Sequence, residues 1–380
     1  MKATLVQFLR DPLTSQPLTL ADAVLDGEEI VSGKLSSASG AVYPIDGGVP
    51  AMVRPDQFAE GQKETVDSFS WKWQRATNYR SSTLGHYLQW YLDRYGFGTE
   101  AKLAEFLAGK TRILDAGTAH GRDAEMYARN SKASIFGIDI SYGVRTAYKD
   151  LGATSNLNFV QADLTRLPFA EGFFDFIACD QVIHHTPNTR ESLRHLVTRL
   201  APGGHISFYV YKKKGPVREF CDDHIRAQTV NMSPDECLKV SEAITKFGKA
   251  LSDMKITIDV PEDIPLLDIK AGKHDLQRFI YWNMFKCYWN DTMDWDSNVI
   301  TNFDWYHPLH AHRHTREEVE QWKGRCPILR LKQHLIENEL SDEVELAELE
   351  AEIVAEVDAA QRAAESAPYP DPATAATHIY

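Results

Sequence analysis

The chain has 380 residues, 43% hydrophobic and 25% charged, with a formal net charge of −13. That length supports a full core with appended elements, no apolar run reaches the ~18 residues of a membrane span, and the first residues turn polar too soon for a signal peptide. The five cysteines are scattered, odd in number and free of C-x-x-C spacing, so reduced thiols, a cytoplasmic location, no membrane partner and no metal are expected.

Residues 1–57 read as a small β module. Phe8 to Leu18 is turn-rich, and Glu29–Leu35 and Gly40–Pro50 are short strands punctuated by glycine and proline. The run Tyr43-Pro44-Ile45-Asp46-Gly47-Gly48-Val49-Pro50 resembles small zinc-ribbon-like proteins. Where cysteines often bind metal in that family, this chain has Asp11 and Ser15, so the resemblance implies packing or substrate contact without zinc. Residues 58–110 read as a helical cap rich in aromatics, with Trp71 and Trp73 as candidates to face a bound cation.

Residues 111–211 carry the strongest pattern. Ile113-Leu114-Asp115-Ala116-Gly117-Thr118-Ala119-His120-Gly121 is a strand, a glycine turn and a helix start. Such a turn lets backbone approach a nucleotide-like ligand. A second strand ends at Asp139, 24 residues after Asp115, where a carboxylate can accept ribose hydroxyls. A third ends at Asp163, another 24 residues on. A fourth runs from Phe174 to Asp180, and Leu200–Gly204 is expected to stop a helix before a fifth, His205–Val210. Alternation of apolar runs with helix-length segments predicts a doubly wound, Rossmann-like α/β sheet.

This ordered set resembles the class I S-adenosyl-L-methionine (SAM)-dependent methyltransferases. The resemblance implies SAM as cofactor. It places the methionine part on Asp115, Gly117, Thr118, Ala119 and Gly121, the ribose on Asp139 and Ile140, and the adenine on Asp163 and Leu164. Asp180 and Gln181 then border the reacting methyl. Ala119 stands where the family's loop has its middle glycine, which predicts tighter packing. The competing NAD reading would need a nearer match to G-x-G-x-x-G.

His184 and His185 follow the fourth strand and are candidates for the base that methylation of an O–H or N–H requires; the alternative is a turn cap. Residues 212–335 read as a helical and aromatic lid. Within it Trp305, Tyr306, His307, Arg313 and His314 mix aromatic faces, donors and a cation, suiting either a substrate wall or plain packing. Lys212-Lys213-Lys214 is either an anion contact or a solvated loop. Residues 336–380 hold an acidic helix with Leu346, Leu349, Ile353 and Val357 on one face, a possible homodimer contact, and a linker-like tail. Residues 336–361 contain ten acids and no base, which argues against a nucleic-acid partner.

The resulting expectation is a SAM-dependent methyltransferase acting on an oxygen or nitrogen of a small-molecule substrate, of secondary-metabolite or glycan type. Two other readings stay open: a methyltransferase of tRNA, rRNA or protein using residues 1–57 for recognition, and a non-catalytic SAM-binding scaffold subunit.

Overall fold

The computed structural model describes residues 1–76, 79–323, 336, 340–349 and 351–352. The N-terminal module is an antiparallel meander of β1 (Leu18–Asp26), β2 (Glu29–Ser37), β3 (Val42–Asp46) and β4 (Val49–Pro50). Its polar centre is Asp11, only 1% exposed. That carboxylate accepts hydrogen bonds from Leu13 N–H (2.8 Å), Thr14 N–H (3.3 Å), the Ser39 hydroxyl (3.0 Å) and the Tyr43 hydroxyl (3.2 Å). Hydrogen bonds thus cross-link two turns and a strand where the resembled family uses metal. The module is joined to the rest: Met52 N–H donates to the Gln161 carbonyl at 2.8 Å and Arg10 N–H to the Pro168 carbonyl at 2.9 Å. Phe8 packs edge-on to Phe136, centroids 5.9 Å apart.

Three helices follow, α1 (Gln62–Arg75), α2 (Tyr79–Arg94) and α3 (Glu100–Leu107). The buried residues of α1 are Gln62, Thr65, Ser68 and Lys72. Polar residues spaced three or four apart lie on one helix face, so this helix turns a polar stripe inward.

The central layer comprises β5 (Arg112–Ala116), α4 (Arg122–Asn130), β6 (Ser134–Asp139), α5 (Gly143–Leu151), β7 (Leu157–Gln161), β8 (Phe174–Cys179), α6 (Thr189–Thr198) and β9 (Leu200–Phe208). The strands pair in the order β7-β6-β5-β8-β9, all parallel. Their apolar runs are covered on both faces, as parallel sheets require; Ile113, Leu114, Ile135, Phe136, Phe174 and Ile177 are fully buried. This is the expected Rossmann-like sheet. One detail differs: the stretch expected to stop a helix opens β9 instead. Phe174 pairs with Leu200 and Phe176 with His205, so the intervening Pro202-Gly203-Gly204 bulges out, with Gly203 at φ +72°.

The chain then forms β10 (Tyr211–Lys212), α7 (Pro216–Thr229), α8 (Pro234–Asp253), β11 (Thr257–Val260), β12 (Gly272–Asp275), α9 (Leu276–Asn283), α10 (Trp295–Tyr306) and β13 (Arg313–His314). Ser233 and Glu236 close a capping box at the start of α8. β13 returns to pair in parallel with β10, binding the two ends of this region together. Packing divides the chain into two compact units, Met1–Thr315 and Arg316–Tyr380. In the second unit the described elements are α11 (Arg316–Lys323) and a helical stretch over 343–349. Ile353, Val357 and the tail lie outside the described residues. No described helix is long and apolar enough to cross a membrane, and the four described cysteines are free.

Burial works against ionisation of Asp11, but hydrogen bonds from Ser37, Leu13, Ser39 and Thr14 hold its pKa down at about 2. The unfolded value is about 3.9. The carboxylate's contribution is therefore complete above about pH 4 and is lost as pH falls toward 2. Asp11→Ala leaves the buried donors without a partner and should cost about 1–3 kcal/mol in chemical unfolding at pH 7. The difference from the unsubstituted chain should shrink in titrations below pH 4.

Candidate functional site

The carboxyl ends of β5 and β8 are adjacent strands from which the chain departs to opposite sides of the sheet. Ligands of open parallel sheets bind at such a switch point. A cavity of about 440 Å3 opens there. Its near wall is built from Gly117, Thr118, Ala119, Asp139, Ile140, Asp163, Leu164, Asp180 and Gln181, together with Trp73 of α1. These are residues that the sequence assigned to a cofactor, and the ends of four strands, β5, β6, β7 and β8, bring them together.

The cradle is formed by missing bulk. Gly117 has φ +89°, and a β-carbon on it would lie 2.3 Å from a methyl of Val182 in the loop after β8. Only glycine lets the two loops approach this closely. Ala119 (φ +49°) and Gln181 (φ +62°) also adopt left-handed conformations, without being glycine. The Ala119 amide is fixed by donating to Asp139 Oδ2 at 2.9 Å. Asp139 Oδ1 accepts from the Ser141 amide (2.8 Å) and hydroxyl (2.6 Å). Burial raises the Asp139 pKa, and these hydrogen bonds oppose that rise. Asp163 accepts from Gln62 of α1 at 2.7 Å and from the Thr165 amide at 2.8 Å. Asp180 pairs with Arg94 and accepts from the Tyr95 hydroxyl at 2.8 Å.

Three expected cofactor residues do not line the cavity. Asp115 is buried beneath the loop, where desolvation drives its pKa up. Gly121, at φ +85°, starts α4 and packs against Leu151 and Ala147. Trp71 packs at a tilt against Phe303, centroids 4.9 Å apart, and leaves the wall to Trp73. The two Trp residues lie on different sides of α1 because positions two apart on a helix point about 200° apart.

The histidine pair divides similarly. His185 lines the cavity. Its Nδ1 donates to the His310 carbonyl at 2.6 Å, which leaves Nε2 as the ring's acceptor. Burial pushes its pKa down to about 4 against the pull of Asp304, so the ring is neutral at pH 7. His184 is fully buried behind it, its ring 3.7 Å from that of Tyr211, and it does not line the cavity.

Of the five expected substrate residues, Trp305 reaches the cavity. The other four are turned into the surrounding structure. Tyr306 donates to Asp222 (3.1 Å) and the Lys286 carbonyl (2.8 Å). His307 Nδ1 meets the Ser68 hydroxyl at 2.7 Å, Arg313 pairs with Glu219 at 3.2 Å, and His314 Nε2 meets the Thr189 hydroxyl at 3.0 Å. Trp305 and Tyr306 are the last two residues of α10, so their successive side chains diverge. No cluster of metal-ligating side chains occurs among the described residues.

The far wall contains residues that sequence reasoning missed. Tyr209, Tyr281, Trp282 and Tyr288 supply aromatic faces, while Arg218, Arg278 and Lys286 supply charge; Lys214, from the lysine run that the sequence had offered as an anion contact, joins them. Between the walls Lys72 of α1 donates to Asp304 of α10 at 2.8 Å. Lys72 is 4% exposed, and its ammonium lies 4.0 Å from the Trp73 ring centroid. Against the cost of burial, the Lys72 ammonium holds the Asp304 carboxyl below its ordinary range. A lysine on the polar inward stripe of α1 was the available signal.

The sheet, the switch-point cavity and the glycine cradle form a Rossmann-like domain of the kind found in class I SAM-dependent methyltransferases. Residues 114–208 match the family described as "Methyltransferase domain". A second match, of residues 310–373 to "Dehydrogenase E1 component", includes none of the cavity-lining residues. An uncharacterized protein of Synechococcus is 35% identical over 28% of this chain and 27% of its own length. The ubiquinone/menaquinone biosynthesis C-methyltransferase of Vibrio cholerae is 26% identical over 33% of this chain and 59% of its own. An arsenite methyltransferase of Aquipseudomonas alcaligenes is 30% identical over 34% of this chain and 41% of its own. The chain thus spans less than two thirds of these relatives. Among solved structures, the YcgJ protein of Bacillus subtilis aligns with 24% identity over 33% of this chain and 58% of its own, with a TM-score of 0.30.

The residues present fit SAM: a turn whose close approach to the loop after β8 only glycine at 117 allows, and the carboxylates Asp139, Asp163 and Asp180 at successive strand ends lining the same cavity. Gly117→Ala should weaken binding of S-adenosylhomocysteine by about tenfold or more in calorimetric titration, equivalent to about 1.4 kcal/mol. Unchanged affinity would show that the loops can part without cost.

Proposed function

We propose that the chain transfers the methyl group of SAM to an oxygen or nitrogen of a small-molecule acceptor. The observation that carries this reading is the continuity of one cavity from the glycine cradle to the aromatic far wall. A chamber walled by Tyr281, Trp282, Tyr288 and Trp305 has the size and lining of a small-molecule pocket.

The bound cofactor would supply an electrophilic methyl on a sulfonium. The protein's task is then to exclude water, orient the acceptor atom and take up its proton. Trp73 and the Lys72–Asp304 pair close the space between the two walls. His185 Nε2 is the acceptor of the proton: its tautomer is set by the His310 carbonyl, and its ring is held edge-on to Phe69, centroids 4.8 Å apart. Gln181, beside Asp180, presents a side-chain amide donor and acceptor at the same wall.

Calorimetric titration with SAM and S-adenosylhomocysteine comes first. Micromolar binding to the unsubstituted chain, lost in Asp139→Ala, supports the reading; no binding to either ligand overturns it. His185→Asn should then lower kcat by roughly 10²–10⁴-fold with little change in S-adenosylhomocysteine affinity. Equal loss of both would remove the proton-acceptor role. Because His185 stays neutral down to about pH 4, kcat should show no inflection from this ring near the ordinary histidine value of about 6.5.

A further inference from the structure

We propose that the far half of the cavity is an oxyanion subsite, and that the methyl acceptor carries a carboxylate or phosphate seated against Lys286, Lys214 and Arg278. This rests on the function proposed above and names its substrate class.

Lys286 is 7% exposed and lines the cavity. Its ammonium lies 5.0 Å from the Trp305 ring centroid. Lys214 Nζ lies 4.4 Å from the Trp282 centroid, and the Arg278 guanidinium 5.7 Å from that of Tyr281. Among the described residues none of the three makes an ion pair. Aromatic faces hold these charges in place without neutralising them.

The nearby carboxylates are committed elsewhere. Asp222 pairs with Arg218 and accepts from the Lys286 amide (3.0 Å), Trp305 Nε1 (2.9 Å) and the Tyr306 hydroxyl (3.1 Å). Asp304 is bonded to Lys72 at 2.8 Å. The groups acting on Lys286 are therefore Asp304 from α10, Arg218 and Asp222 from α7, and Lys72 from α1. Burial outweighs them and pushes its pKa down to about 7. Burial, with Arg218 next, pushes Lys214 to about 8. A desolvated cation without an anion is expensive. An arriving oxyanion removes that cost and meets charge-assisted donors, whereas an uncharged acceptor does not.

The test uses the full chain saturated with S-adenosylhomocysteine, titrated calorimetrically with phenyl phosphate, benzoate and phenol. At least one of the two anions should bind tenfold or more tighter than phenol. Lys286→Met should reduce that preference below about threefold while S-adenosylhomocysteine affinity is retained. Arg278→Gln, at a half-buried position, should reduce it several-fold and decides the matter if the first variant does not fold. Phenol binding as tightly as the anions, an anion preference unchanged in the folded variants, or anions that displace S-adenosylhomocysteine would each overturn the subsite. If S-adenosylhomocysteine itself fails to bind, the cofactor reading falls separately, and the same comparison on the free chain still decides the subsite. The stronger of the two anions identifies carboxylate or phosphate as the group recognised.

Discussion

The Lys72–Asp304 ion pair is the contact on which the architecture of the cavity turns. Its two partners come from α1 and α10, more than two hundred residues apart in sequence. A buried pair repays its desolvation only when geometry is good and other groups share the charge. Here the Trp73 face takes part of that role for the ammonium. Removing either partner would strand a charge between the two walls. Together with Trp71 against Phe303 and Ser68 against His307, the pair joins the cap helix α1 to α10 across the cavity.

Much of the core was legible because its physics is local. Alternating apolar runs, a glycine turn and acids at equal spacing each reflect one strand end, and the parallel sheet assembles them without long-range information. The acceptor wall was less legible. Trp305 and Tyr306 are neighbours in sequence, yet one faces the cavity and the other hydrogen-bonds to Asp222. That outcome depends on α10 continuing to Tyr306. Its start is signalled by Asp294, which caps the Ser297 amide at 2.7 Å, well before the Trp305–Tyr306 pair itself. Lys286 carries no signal in its own neighbourhood, because its significance comes from α7 and α10 packing around it.

The N-terminal module shows a related substitution of means. Asp11 gathers amide and hydroxyl donors from two turns and a strand. Metal sites in small domains do the same work of tying distant segments to one point. A carboxylate does so through weaker, more numerous bonds, and it makes the module's integrity a function of acidity. The module's bond to Gln161 also covers the edge of β7, which would otherwise present unpaired backbone to solvent.

Ala119 and Gln181 sit on either side of the switch point in conformations that usually require glycine. Left-handed backbone costs such residues roughly 1–2 kcal/mol each, and that strain persists only where the surroundings over-determine it. Here the surroundings include the Asp139 carboxylate beneath Ala119. The loops are thus shaped during folding, before any ligand arrives. Differences in affinity among ligands of this cradle should then be expressed in residence time, since association requires little rearrangement.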